Sequence, residues 1–166
     1  MTARIEEIRQ RFVEAAGNAT QSLGIGRVLG QVYAHVYFSR APQTLDDLAG
    51  SLGISKGAAS MTVRQLEQWG ALRRVWVKGE RKDHYEAADE FGRILRRALL
   101  DMIGRKMEIS AGLLDEAETA LRRGLRERAT GNGDLDFLRG RVERLQAFRA
   151  RAQRLWESSI LTMLLK

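Results

Sequence analysis

Apolar residues return every three to four positions through Ile5, Ile8, Phe12, Ala15, Ala19 and Leu23, which predicts an amphipathic helix ending near Leu23. The stripe is narrow and suits a helix partner. After "GIG" the segment 27–39, "RVLGQVYAHVYFS", is apolar almost all round, and this predicts a helix at the centre of a domain. Gly26, Gly30 and Ala34 recur every fourth residue on one face of that helix, where a second backbone can come close.

Pro42 ends this region, and Thr44 followed by Asp47 predicts an N-cap with an acid at the third position of a short helix, 45–52. Gly53 then supplies a turn that takes positive φ. Ser55 caps a further helix that carries Ala59, Val63 and Leu66 on its inward side. Two short helices on a tight glycine turn predict a helix-turn-helix. Beyond Gly70 the period becomes two, so "LRRVWV" and "HYEAA" read as strands around the polar turn "KGERKD", a hairpin with a basic tip. Helix-turn-helix followed by such a hairpin is a winged helix.

From Asp89 the helical period resumes through Phe91, Ile94, Ala98, Met102, Leu113, Leu114, Leu121 and Leu125, a helix of about forty residues or roughly 60 Å. "ATGNGD" breaks it, and a last helix carries Leu138, Val142, Leu145, Ala152, Trp156, Ser159 and Met163 at heptad-like spacing. A helical hairpin of this kind needs a partner surface, and a second copy of the chain is the simplest one. The expected fold class is mainly α with a small β-hairpin. Its expected parts are an N-terminal helix contributing to dimerisation (1–23), a winged helix-turn-helix DNA-binding domain (24–88) and a two-helix antiparallel dimerisation region (89–166).

Composition removes cysteine chemistry. None of the 166 residues is cysteine, which excludes disulfides, thiolate catalysis and cysteine-based zinc sites. His35 and His84 lie far apart and have no carboxylate at metal-site spacing, so neither a metal nor a cofactor is expected. No strand precedes the glycines at 24, 26 and 30, and their spacing is wrong for a dinucleotide loop. Asp46 and Asp47 read as acids favoured at a helix start rather than as a catalytic pair. The chain is not expected to be an enzyme. The segment "MTARIEEIRQ" lacks the apolar core of a signal peptide and no apolar run approaches about 18 residues, so the expected location is cytoplasmic.

A net charge of +7 favours an anionic partner. Its densest part outside a helix is "RRVWVKGERK", where Arg73, Arg74, Lys78, Arg81 and Lys82 face the single acid Glu80. The second helix of the helix-turn-helix opens on "SKGAAS", side chains too small to fill a core. In such a motif the N-terminal residues of the second helix lie nearest the bases, and small side chains let the backbone approach. Ser55, Lys56 and Ser60 can donate to phosphates, with Gly57 leaving room. Met61 can touch a thymine methyl, while Arg64 and Gln65 can reach phosphate or a base edge. Lys78, Arg81 and Lys82 stand where a wing meets the flanking minor groove or backbone. Two plainer readings stay open: small residues relieve a crowded helix crossing, and a basic loop is merely solvated.

The stretch "LGISKGAASMTVRQLEQWGALRRVWVKGERKDHYEA" resembles the helix-turn-helix and wing of GbsR-type regulators, a branch of the MarR superfamily of winged-helix repressors. The motifs "SKG", "SM", "LEQWG" and "KGERKDHYEA" carry the resemblance over residues 24–88, and the flanking helices match in pattern only. It implies a homodimer on double-stranded DNA, acting as a repressor at a roughly palindromic operator and modulated by a small effector. Some members of that family respond to choline or related ligands. Ala58 stands where the family favours Asn, and Gly26 where it often has Pro. Tyr33, Tyr37, Phe38, Trp69, Trp76 and Tyr85 read either as an aromatic cage for a quaternary ammonium group or as core. The alternative function is a winged-helix protein-interaction module that no longer binds DNA. Such a module tolerates acids on the reading surface, where this chain has Lys56, Arg64, Lys78, Arg81 and Lys82.

Overall fold

The structure, a computed structural model, describes residues 2–127 and 133–157. Ser159, Met163 and most of the expected break at "ATGNGD" lie outside the described residues, as do the side chains of Leu125 and Trp156. The elements follow in the order α1 (Thr2–Ser22), α2 (Arg27–Tyr37), α3 (Leu45–Leu52), α4 (Lys56–Gln68), β1 (Leu72–Val75), β2 (His84–Ala87), α5 (Phe91–Glu127) and α6 (Gly133–Glu157). The chain forms two compact units, Met1–Ala98 and Leu99–Lys166.

Local chemistry fixes the helix ends of the first unit. The Thr44 hydroxyl accepts the Asp47 amide, while the Asp47 carboxylate accepts the Thr44 amide at 2.8 Å, a reciprocal capping box at the start of α3. Gly53, at φ 64°, ends α3 in the left-handed region that a side chain disfavours. Ser55 Oγ then accepts the Ala58 amide at 3.1 Å and starts α4. The two helices thus join through three residues, Gly53, Ile54 and Ser55, that stop, turn and cap.

α2 sits at the centre of this unit, packed by α1, α3, α4 and β2, as its all-round apolar sequence predicts. The core gathers Val32 and Val36 from α2, Leu48 from α3, Ala59, Val63 and Leu66 from α4, and Leu72 and Tyr85 from the hairpin. Ile94 and Ala98, from the start of α5, are buried in the same cluster. Val32, Leu48 and Val63 are sealed from solvent, each contributing about 2 kcal/mol of transfer free energy. Trp69 and Tyr85 are core residues; Tyr37 and Phe38 stay partly exposed, in a chain of ring contacts that links Phe12, Phe38, Tyr37, Tyr33 and Phe91.

The hairpin is antiparallel, pairing Leu72 with Ala87 and Val75 with His84. Gln43 adds a bridge on the other side of β2, exchanging backbone hydrogen bonds of 3.0 and 2.9 Å with Tyr85. The wing is thereby rooted to the loop ahead of α3. The period-two pattern predicts a first strand through Val77, but pairing stops at Val75 because β2 begins at His84. Trp76 lies beyond the ladder and is 79% exposed.

In the second unit α5 and α6 flank an apolar groove of about 730 Å³ lined by Met107, Leu113, Leu114, Leu145 and Phe148. Among the described residues no helix is long and apolar enough to cross a membrane.

Candidate nucleic-acid interface

The inward face of α4 is spent on Ala59, Val63 and Leu66, which turns Lys56, Gly57, Met61 and Arg64 outward. With 3.6 residues per turn these four form one row along the exposed side. Met61 is 75% exposed, an unusual place for a thioether with nothing of the fold upon it. Ser60 and Gln65 are half-buried on the shoulders of the row, and the Gln65 amide donates to Gln68 at 3.2 Å. Ser55 commits its Oγ as acceptor to the Ala58 amide, which leaves its own hydroxyl proton free to donate outward.

Gly57 separates the two readings of the small residues. A Cβ built there meets nothing nearer than Ser55 Oγ at 3.8 Å, so no helix crossing requires a glycine at that place. Ala59 is the opposite case: it is fully buried, and crowding explains it. Ala58, half-buried between them, carries no polar atom.

The five cations of the hairpin divide three ways, with Lys82 bound to Asp46 on α3. Arg73 pairs with Glu86 at 3.2 Å, and Arg74 pairs with Asp83 at 3.1 Å and Glu67 at 3.8 Å while lying over the Tyr85 ring. Those two are neutralised within the hairpin and α4. Lys78 and Arg81, at the tip, form no ion pair with any described residue, and Arg64 on α4 is likewise unpaired. The basic run of the sequence is therefore smaller in effect than its composition.

Lys56 and Lys82 meet on one acid. Asp46 Oδ1 accepts from Lys56 Nζ at 2.7 Å, and its Oδ2 accepts from Lys82 Nζ at 2.8 Å. The hydrogen bond from Lys56, followed by that from Lys82, holds the Asp46 carboxyl down to about 2. The same contact with Asp46 pushes the Lys82 ammonium up. Sequence reasoning placed Asp46 at the helix start only, because its partners stand far away in the chain. Asp47, held down by its hydrogen bonds with Thr44, is the acid that caps α3.

Elsewhere in this unit a polar groove of about 720 Å³ runs between α1, α2 and the loop before α3, lined by Arg9, Gln31, His35, Ser39 and Gln43. Burial, then the charge of Arg9, lowers the affinity of His35 for a proton, and its Nε2 lies 3.3 Å from Gln43 Oε1. Among the described residues no three His, Asp or Glu side chains converge as metal ligands.

No protein-family model matches the chain. It is similar to three proteins of Bacillus subtilis (strain 168). YvaV, assigned by name as an HTH-type transcriptional regulator, is 31% identical over 87 residues, which are 52% of this chain and 49% of YvaV. The HTH-type transcriptional repressor OpcR is 29% identical over 87 residues, 52% of this chain and 47% of OpcR. The HTH-type transcriptional repressor GbsR is 24% identical over 123 residues, 74% of this chain and 68% of GbsR. The chain spans about half the length of the first two. Among solved structures, that of a transcriptional regulator covers 87% of this chain and 94% of its own at 23% identity and a TM-score of 0.49. That of the transcriptional regulator Tm0710 from Thermotoga maritima covers 92% and 96% at 16% identity and a TM-score of 0.41. All three relatives carry the name of an HTH-type transcriptional regulator or repressor. In sequence the chain is similar to HTH-type transcriptional regulators, GbsR among them, in line with the resemblance its motifs carry.

Proposed function

We propose that the protein is a sequence-specific DNA-binding transcriptional regulator of the cytoplasm, acting as a homodimer on a roughly palindromic operator and most simply as a repressor. The observation that carries this reading is the outward row Lys56, Gly57, Met61 and Arg64 on α4, together with the tip cations Lys78 and Arg81, which form no ion pair among the described residues. A groove-facing helix needs a narrow, donor-bearing edge with little bulk at its first turn, and this row supplies one. Phosphates would be met by Ser55, Lys56, Lys78, Arg81 and Lys82, which position the helix. Base edges would be met by Met61, Arg64 and Gln65. Ser60 lies where it can serve either. Ala58 has no hydrogen bond to offer, so part of the discrimination rests on DNA shape.

Dimerisation is supported by the second unit, whose groove exposes Leu113, Leu145 and Phe148 to solvent in a single chain. Two copies would present two α4 helices to successive half-sites. Repression is the activity in the names of two relatives. Modulation by a small effector belongs to the same reading, without an assigned pocket.

Selection of bound fragments from the host genome tests the proposal. The expected result is a small set of fragments sharing an inverted repeat, and the neighbouring genes then point to the effector. Recovery of no fragment above background, with a folded protein, would favour the interaction-module reading instead.

A further inference from the structure

Asp46 is an anion placed between two cations of the proposed interface. It comes from α3, Lys56 opens α4, and Lys82 lies on the hairpin 36 positions further along the chain than Asp46. One carboxylate therefore ties together three elements, using one oxygen for each lysine. Capping does not require this, since Asp47 alone completes the capping box with Thr44. Helix-start electrostatics does not require it either, because Asp46 could satisfy α3 with both lysines pointing away. All three side chains are solvent-exposed, so the arrangement is held by its own charges rather than by packing. Two lysines on one exposed anion is also the way an interface holds a backbone phosphate.

We infer that Asp46 is a specificity-determining residue, an internal anion that stands in for a phosphate and fixes Lys56 and Lys82 relative to each other until DNA arrives. This rests on the DNA-binding reading of the preceding subsection. Each ammonium has three donors and spends one on Asp46. The other donors can reach phosphates from the held position, provided α4 is seated so that phosphates fall beside both lysines. On a duplex that does not seat α4, the lysines must leave Asp46 to find phosphates, and the pair must be broken. Non-specific affinity comes almost wholly from such phosphate contacts, so the tie weakens it more than it weakens operator binding. Asp46 acts through the two lysines and touches no base.

The test compares the full-length chain with its Asp46→Asn and Asp47→Asn variants, titrated by fluorescence anisotropy across a salt series. The two probes are a duplex carrying the selected inverted repeat and a random-sequence duplex of equal length. Asp46→Asn is expected to bind random duplex about fivefold tighter, with the slope of log K against log salt steeper by about one. Its gain on the selected duplex is expected to be smaller, so the ratio between the two affinities falls. Asp47→Asn removes the same charge one residue away but leaves the lysines tied; its ratio is expected to match wild type. Asp46→Ser serves as a second uncharged variant that keeps a good residue at the helix start, and should behave as Asp46→Asn does.

Equal gains on both duplexes, no gain on either, or the same fall in ratio for Asp47→Asn would each overturn the inference while wild-type preference for the selected duplex leaves the DNA-binding reading intact. A wild-type chain with no preference between the two duplexes would overturn that reading, and the inference with it.

Discussion

Gly30 of α2 lies against the carbonyl of Ala16 in α1, so close that a Cβ at position 30 would overlap that oxygen and the Thr20 hydroxyl together. The obstruction is backbone on one side, and backbone cannot swing away. Gly57 is the contrasting case, with open space where its Cβ would be. Gly30→Ala is therefore expected to destabilise the chain by about 2 kcal/mol through overpacking of the helix crossing. Gly57→Ala should leave the fold as stable or stabilise it by about 0.5 kcal/mol, since alanine is the better helix former. Yet Gly57→Ala should weaken binding to a selected duplex, where Gly30→Ala weakens it only as far as it unfolds the protein. Urea denaturation set beside DNA titration of both variants separates a glycine kept for packing from one kept for approach.

That contrast also indicates what can be read from a chain alone. The stop at Gly53, the caps at Thr44 and Ser55, the inward triad Ala59, Val63 and Leu66, and the central place of α2 all follow from chemistry confined to a few neighbouring residues. Contacts across long loops were not legible. Arg73 and Arg74 belong to a basic run in the sequence, but antiparallel pairing sets Glu86 opposite Arg73 and brings Asp83 to Arg74. Gln43 gives no strand pattern, and it forms a single bridge to β2 where Tyr85 presents a free edge. Ile94 and Ala98 carry the stripe of a long helix, with no local mark that this end is buried in the core of the first unit. The residues proposed to face DNA were found by order, a small-residue helix start followed by a basic hairpin. Which of their charges are already satisfied depended on the fold.

Tyr33 joins α2 to the segment after β2 by donating its hydroxyl to the Ala88 carbonyl at 2.6 Å. Burial, and then the neighbouring Tyr37 and Asp89, push its phenol up to about 12. Only the neutral phenol can donate, so the fold holds the proton more tightly than the unfolded chain does. The contribution is complete below the unfolded value near 10 and is lost as pH rises from there through about 12. In an alkaline titration followed by tyrosine absorbance, one phenol should ionise late, and Tyr33→Phe should remove that late step. The same variant should cost about 1 kcal/mol at neutral pH, the net worth of one such hydrogen bond. A late step that survives the substitution would assign the shifted group elsewhere, with Tyr85, also raised by burial, the next to examine.

Phe148 is 70% exposed in the single chain, on the α6 side of the groove that Leu113 and Leu145 also line. Apolar surface of this kind is stable in water when a partner covers it. If a second copy does so, sedimentation should give twice the 18.7 kDa mass of the chain. Phe148→Glu places a charge in that contact and should shift the protein to monomer, while leaving the helical circular dichroism of the fold intact. DNA binding by the monomer should then fall steeply, because each half-site offers a small contact on its own. A chain that sediments as a monomer before substitution would remove the dimer from the proposal.

The wing cations should not be equivalent in a salt titration. Lys78 and Arg81 form no ion pair with the described residues, so each is free to displace a counterion from DNA, and replacing either by alanine should flatten the slope of log K against log salt by about 0.9. Lys82 already shares its charge with Asp46, and Lys82→Ala should flatten the slope by less. Arg73 and Arg74 are spent on Glu86, Asp83 and Glu67, so their replacement should leave the slope near its wild-type value despite removing equal charge. Arg64→Ala should differ in kind: it lies on the α4 row, and its loss should lower affinity for the selected duplex more than for a random one. Six single variants measured on two duplexes thus order the cations by how far each is already satisfied within the fold. Slopes that tracked the number of charges removed, regardless of these pairings, would mean that the ion pairs of the hairpin do not persist in solution and that the wing binds as a diffuse patch.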